Sequence, residues 1–419
     1  MFKLRKAILA ISTIAVAAVA LPAAASAATL WVSNATPNAL DNSCTNTGYT
    51  SIQTAINAAA PDSTIKVCGG TYTEQLEIKK EVSLVGKETP VVKLSASPED
   101  SNTPCDDAIN TATGGNDQDL VSICTPNTVV ITGMTFEAKW PEGTCDNSLY
   151  GIMVAGGATL NATNVKIDGA GAYPINGCQG GVGVEVGFGY NLDEEGHAAL
   201  NKVTVENYQK NGITIDGAGS DASVTSTTAT GAGPVDQGQN GIQVSRGAVA
   251  TISKVTISSN ECAASQCGYT TQQNWEEDAA GVLFYLPGAS SIVSNSTLNK
   301  NDIGVEYVSG SATRPATPQV TLTGDTVTGG YASVQLNQGQ ATLESDKLTG
   351  GLFGIDVNSY GGEDDSYAPE ATAVKDKVEG IEAAVQVESS LAELPGRLTF
   401  KKGEILGSIT NEDPLFRIG

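Results

Sequence analysis

QNGIQVSRGAVATISKVTISSN (239–260) contains one full unit of a repeating pattern, and its two halves recur along the chain. The first half, NGIQV at 240–244, is a small residue, an aliphatic, a variable residue and a second large apolar residue. It returns as YGIMV (150–154), VGVEV (182–186), NGITI (211–215), AGVLF (280–284), IGVEY (303–307), ASVQL (332–336) and FGIDV (353–357). The second half carries two apolar residues five apart, Ile252 and Ile257. Its copies are Ile131/Phe136, Leu160/Val165, Leu200/Val205, Val293/Leu298, Leu322/Val327 and Leu343/Leu348. A supersecondary unit returning every ~20–30 residues is the signature of a solenoid.

Alternation within the first half marks a strand with one face buried. The second half reads as a strand, a bend and another strand. One strand plus a bent pair makes three short strands per coil, the unit of a parallel β-helix. Equivalent strands then stack ~4.8 Å apart, with an aliphatic interior. The 47 glycines and the low aromatic content (5%) suit short strands and tight turns rather than helices. One segment differs. SIQTAINAAA (51–60) has apolar residues at helical spacing and is expected to form an N-terminal helix capping the open end of the stack.

Lys3, Arg5 and Lys6 precede an apolar run, Ala7 to Leu21, and a small-x-small site at Ala25-Ser26-Ala27. This pattern is a secretory signal peptide over 1–27. Residues 28–419 are expected to form one β-helix domain, with the cap and first coils at 28–90 and coils bearing disulfide-linked insertions at 91–419. The formal net charge is −23, and loss of the signal peptide would remove three further positive charges. Such a surface disfavours nucleic acid and anionic lipid. No segment of the mature chain is apolar enough for membrane insertion, so a secreted, extracellular monomer is expected.

Eight cysteines in an exported chain point to disulfides. Because contacts in a solenoid are local, sequential neighbours are favoured: Cys44–Cys68, Cys105–Cys124, Cys145–Cys178 and Cys262–Cys267.

The segment YTSIQTAINAAAPDSTIKVCGGTYTEQLEIKKEVSLVGKE (49–88), together with 239–260, resembles secreted bacterial right-handed parallel β-helix repeat proteins of the pectin lyase-like superfamily. The resemblance implies an all-β, right-handed solenoid and polysaccharide as partner. It also implies enzyme classes that can be checked against the residues. The motif set of pectin methylesterases, a Gln-Asp pair with a second Asp in an apolar strand and an Arg near a Trp, is not present, and neither is the Gly-His-Gly of polygalacturonases. The single histidine, His197, lies in the acidic run NLDEEGH and reads as a surface residue. Calcium-dependent β-elimination asks for less: carboxylates to hold Ca²⁺, and a base within hydrogen-bond reach.

Aligning the first half on its small residue defines two columns of outward side chains. One holds Met153, Glu185, Thr214, Gln243, Leu283, Glu306, Gln335 and Asp356. The other holds Asp216, Ser245, Tyr285, Asn337 and Asn358. Both are expected on one exposed face. Within them, Glu185 and Asp216 are the candidate calcium ligands, with Arg246 as the candidate base. Glu306, Gln335, Asp356 and Tyr285 are candidate sugar contacts. Trp275, in the Cys262–Cys267 insertion, can stack on a sugar ring or pin its loop to the coil. Glu306 and Asp356 sit two coils apart, about 9.6 Å, near the ~6.5–9.5 Å of inverting glycosidases. The acid runs 276–278 and 363–365 could bind calcium or be solvated charge.

The expectation is therefore a secreted, glycan-facing β-helix without a recognisable catalytic motif. It would bind carbohydrate or serve as a cell-surface or matrix component. The alternatives are a Ca²⁺-dependent polysaccharide lyase and a purely structural solenoid.

Overall fold

The computed structural model describes residues 26–418 except 35–36, 38, 100–102, 116, 142, 144, 146–147, 264–278, 309–316, 359–368, 388–395 and 412–416. The chain is a parallel β-helix. Each full coil contributes three strands, and strands inside the stack pair in parallel with their equivalents one coil before and one after. The coil quoted above runs through Asn240–Ser245, Val249–Ser253 and Thr256–Asn260. Strands of the Val249–Ser253 type form one 14-stranded sheet from Thr29–Val32 to Arg417–Ile418. The other two types form two further ladders. These join at Thr297–Val308 and Thr326–Asn337, which bend from the third strand of one coil into the first strand of the next.

The core is built from the apolar letters of the repeat. Ile152, Val184, Ile213, Ile242, Val282, Val305, Val334 and Ile355 are in register across successive coils, and all are buried. The second-half residues stack likewise, with Leu200, Val224, Ile252, Val293, Leu322 and Leu343 in one column. One copy is out of step with the sequence spacing. The register equivalents of Leu200 and Val205 in the preceding coil are Ala162 and Ile167, not Leu160 and Val165. Alanine fills the inward position there, and Leu160 is buried one pair earlier.

The small residue of the repeat has a steric cause. A Cβ on Gly183, Gly212 or Gly241 would lie 2.5–2.7 Å from the carbonyl oxygen of the equivalent residue in the next coil. Coils pack too closely there for most side chains.

Two helices accompany the coils. α1 (Ile52–Ala58) begins at Ser51, whose side chain accepts from the Thr54 amide. It buries Ile52, Ala55 and Ile56 in the main core, against the strands Thr29–Val32, Ser63–Val67 and Leu76–Ile78. α2 (Pro104–Thr113) was not expected from composition. A reciprocal capping box between Thr103 and Asp106, with Pro104 in its first turn, starts it.

Three of the expected disulfides are present: Cys44–Cys68, Cys105–Cys124 and Cys145–Cys178. The Cys262–Cys267 pairing lies outside the described residues. No helix among the described residues is long and apolar enough to cross a membrane.

Candidate functional site

The two outward columns are in the expected register. Glu185, Thr214, Gln243, Leu283, Glu306, Gln335 and Asp356 pair in succession, as do Asp216, Ser245 and Tyr285. The expectation that they form an exposed face is corrected. Glu185, Asp216, Glu306, Gln335 and Asp356 are each more than 90% buried. At the N-terminal end the cover is visible. α2, tethered through Cys105–Cys124, packs Cys105 and Ile109 with Tyr150, Met153, Val182 and Phe188. Farther along, amide side chains within the columns hydrogen-bond the acids. Asn337 donates to Glu306, while Gln335 and Asn358 donate to Asp356. Gln335 stands between Glu306 and Asp356 in register, so the two acids share no open gap.

Asp216, Arg246 and Tyr285 do converge. Asn240–Ser245 ends at Arg246, whose φ of 51° turns the chain sharply. Its guanidinium reaches back one coil, where Nη1 lies 3.1 Å from both carboxylate oxygens of Asp216. Ser245 Oγ donates to Asp216 Oδ1 at 2.7 Å and the Gly189 amide to Oδ2 at 2.8 Å. Gly189 belongs to a turn in which Phe188 and Glu194 exchange backbone hydrogen bonds. The turn crosses so close that a Cβ on Gly189 would meet Gly217 Cα at 2.7 Å and Arg246 Cβ at 3.1 Å. The next residue, Tyr190, carries its ring over the guanidinium.

The Arg246 guanidinium carbon therefore lies near two aromatic rings, 5.5 Å from the centroid of Tyr190 and 5.9 Å from that of Tyr285. Both are within cation–π range. The arginine side chain is 34% exposed and Tyr190 is 49% exposed, so this ledge reaches solvent while Asp216 beneath it does not.

Glu185 sits beside the pair. Burial pushes its carboxyl well above the usual carboxylate range, and the Asp216 charge adds to this. A Thr214 hydrogen bond and the Arg246 charge oppose the rise. Asp117 is also raised, chiefly by burial, although it accepts from the Ser148 amide. Tyr150, raised by burial and then by Asp117, Glu185 and Asp119, completes this polar cluster under α2.

The donor set does not fit calcium at Glu185 and Asp216. Each oxygen of Asp216 already accepts two hydrogen bonds, and Glu185 is held in an environment that favours its neutral form. Among the described residues, no group of three or more carboxylate, thiolate or imidazole side chains is placed to hold a metal ion. His197 lies in the strand Gly196–Asn201 rather than in a loop, 2.6 Å from Asp221 of the next coil. Trp275 and the acid runs 276–278 and 363–365 lie outside the described residues.

Sequence reasoning missed Tyr190 and Gly189. The signal available was a Gly-Phe-Gly-Tyr insertion directly after a repeat strand, where a solenoid places its binding loops.

The fold is a parallel β-helix, and the family comparison agrees with it. Residues 186–349 match the family model described as right handed beta helix region. Among solved structures, the Azotobacter vinelandii mannuronan C-5 epimerase AlgE4 A-module is similar at a TM-score of 0.55 and 13% identity. That match covers 88% of this chain and 94% of the other. The Dettilon tailspike protein is similar at a TM-score of 0.53 and 13% identity, covering 86% of this chain and 63% of the tailspike chain. Both likenesses concern the fold. No curated protein sequence matches the chain.

Proposed function

We propose that the chain is an exported β-helix, one domain over 28–419, that binds polysaccharide through the ledge of Tyr190, Arg246 and Tyr285. The observation that carries this reading is the partly exposed guanidinium within cation–π range of two aromatic rings. A pyranose ring has apolar faces edged with hydroxyls, and tyrosine offers a flat surface with a polar tip to match. Arginine presents five N–H donors in a rigid fork. Nη1 is committed to Asp216, which leaves the outer part of the fork for sugar hydroxyls or a sugar carboxylate. Asp216 fixes the fork in place, so little side-chain freedom is lost on binding. The three disulfides suit an oxidising, extracytoplasmic environment.

The lyase alternative is less well supported. Arg246 would have to leave Asp216 to act as a base, and the carboxylates it would share with calcium do not fit that ion. A glycan array probed with and without calcium tests the binding reading, and absence of any binding would overturn it. Ultraviolet absorbance from unsaturated sugar ends, tested against the same glycans, would reveal the lyase instead.

A further inference from the structure

The bend between the second and third strands of each coil is a single left-handed residue: Asn164, Lys202, Ser226, Lys254, Asn295, Gly324, Ser345 and Lys375 in successive coils. The residue after it points into the molecule. In the first coils that residue is apolar: Met134, Val165 and Val203, all buried. Toward the C-terminus the same position becomes Ser296, Asp325, Asp346 and Asp376, equally buried.

These side chains form a continuous ladder in which each accepts the amide N–H of its equivalent one coil earlier. Val255 N–H donates to Ser296 Oγ at 3.2 Å and Ser296 N–H to Asp325 Oδ1 at 2.7 Å. Asp325 N–H donates to Asp346 Oδ1 and Asp346 N–H to Asp376 Oδ1, both at 2.7 Å. The remaining oxygens of Asp325 and Asp346 take the amides of Thr323 and Glu344. The next equivalent is Gly403, which has no side chain, so the ladder stops at Asp376. Asp376 Oδ2 makes no hydrogen bond of normal geometry, although the Val374 amide is near enough to favour the carboxylate.

Three carboxyls thus stack one strand spacing apart, ~4.8 Å, with no cation between them. On the strands packed around the ladder, Lys375 pairs with Glu344 at 4.0 Å and Lys377 with Glu404 at 3.8 Å. Lys347, Lys401 and Lys402 are exposed. Among the described residues, none of these lysines forms an ion pair with any of the three aspartates.

We propose that Asp325, Asp346 and Asp376 are a pH-sensitive fastener of the C-terminal coils. It is closed while the ladder holds protons and loosened when all three carboxyls are ionised. Accepting amide hydrogen bonds suits a carboxylate, but burial and like-charge neighbours oppose three adjacent anions. Asp346, buried and flanked on both sides, is pushed up to about 8. Asp325 and Asp376, also raised first by burial, reach about 6. Unfolded aspartate titrates near ~3.9, so the folded chain holds protons that the unfolded chain has lost. The ladder's stabilisation is therefore complete below about pH 4 and declines as pH rises through 6 and 8.

Hydrogen exchange read by mass spectrometry on the whole protein tests this, after correction for intrinsic base-catalysed exchange. Protection over 320–379 is expected to fall at least about tenfold between pH 5 and 8.5 relative to the control coil 240–260. Asp376→Asn removes the end carboxyl of the ladder and should remove part of that fall. Asp346→Asn, at the carboxyl raised furthest, should remove most of it. Equal loss of protection in both regions, or a folded variant that keeps the wild-type fall, would overturn the proposal. So would failure of both variants to fold at pH 5, where a protonated carboxyl and an amide are nearly isosteric.

Discussion

Arg246 and Asp216 face each other across one coil step, with Nη1 3.1 Å from both carboxylate oxygens, although one side chain is 34% exposed and the other 3%. The pair links the solvent-facing ledge to the buried polar column. Asp216→Ala would leave the Gly189 amide, the Ser245 hydroxyl and the guanidinium without their acceptor. The expected cost is about 2–4 kcal/mol, since a buried group loses several partners at once. Urea denaturation measures it. A cost within error of zero would mean that Asp216 does not organise the ledge.

Glu185→Gln should alter the pH dependence of stability. The folded carboxyl titrates above its unfolded value, through burial and then the Asp216 charge. Its contribution is complete below about pH 4.3 and is lost as pH rises through the raised folded value. The glutamine variant, neutral throughout, should match wild type near pH 4 and melt at a higher temperature than wild type at pH 8. Melting curves across that range check the sign, and parallel profiles for the two proteins would refute it.

The small letter of the repeat should resist enlargement. A Cβ on Gly241 would lie 2.3 Å from Ile257 Cγ2 and 2.7 Å from the Gly281 oxygen. Gly241→Val is therefore expected to cost at least about 1–3 kcal/mol through overpacking. Ile242→Ala, which opens a cavity in the neighbouring core column, should cost about 2–5 kcal/mol. Shifts in the urea midpoint compare the two.

Loss of Cys105–Cys124 should release α2. The bond closes a loop of sequence separation 19, worth about 3 kcal/mol in the chain-entropy account. Cys105→Ser combined with Cys124→Ser should expose the apolar patch of Tyr150, Met153 and Val182 and speed proteolysis near Pro104. Unchanged cleavage there would mean that packing alone holds the helix.

The architecture was legible in the sequence because a solenoid repeats its instructions. The apolar letters name the core, and the register of Glu185 with Thr214 or of Asp216 with Ser245 follows from alignment on the small residue. Three cysteine pairs were legible because contacts in a coil stack are local. What covers the columns was not legible, because strand alternation separates inward from outward but not outward from exposed. Met153 lies beneath α2, whose capping box at Thr103 and Asp106 was overlooked in a composition that disfavours helices. The shift from Leu160 to Ala162 shows the limit of hydrophobic spacing where a small residue occupies a core position. Tyr190 meets Arg246 through a turn that follows the strand two coils earlier, a contact that no spacing rule encodes.

Polysaccharide binding at the Tyr190–Arg246–Tyr285 ledge is tested most directly by calorimetric titration of wild type and Arg246→Ala with the glycan that binds best on an array. Saturable binding to wild type is expected, weakened at least about tenfold in the variant, a loss of about 1.4 kcal/mol. Equal affinity in both proteins would place the glycan elsewhere on the β-helix, and no saturable binding to wild type would contradict the account.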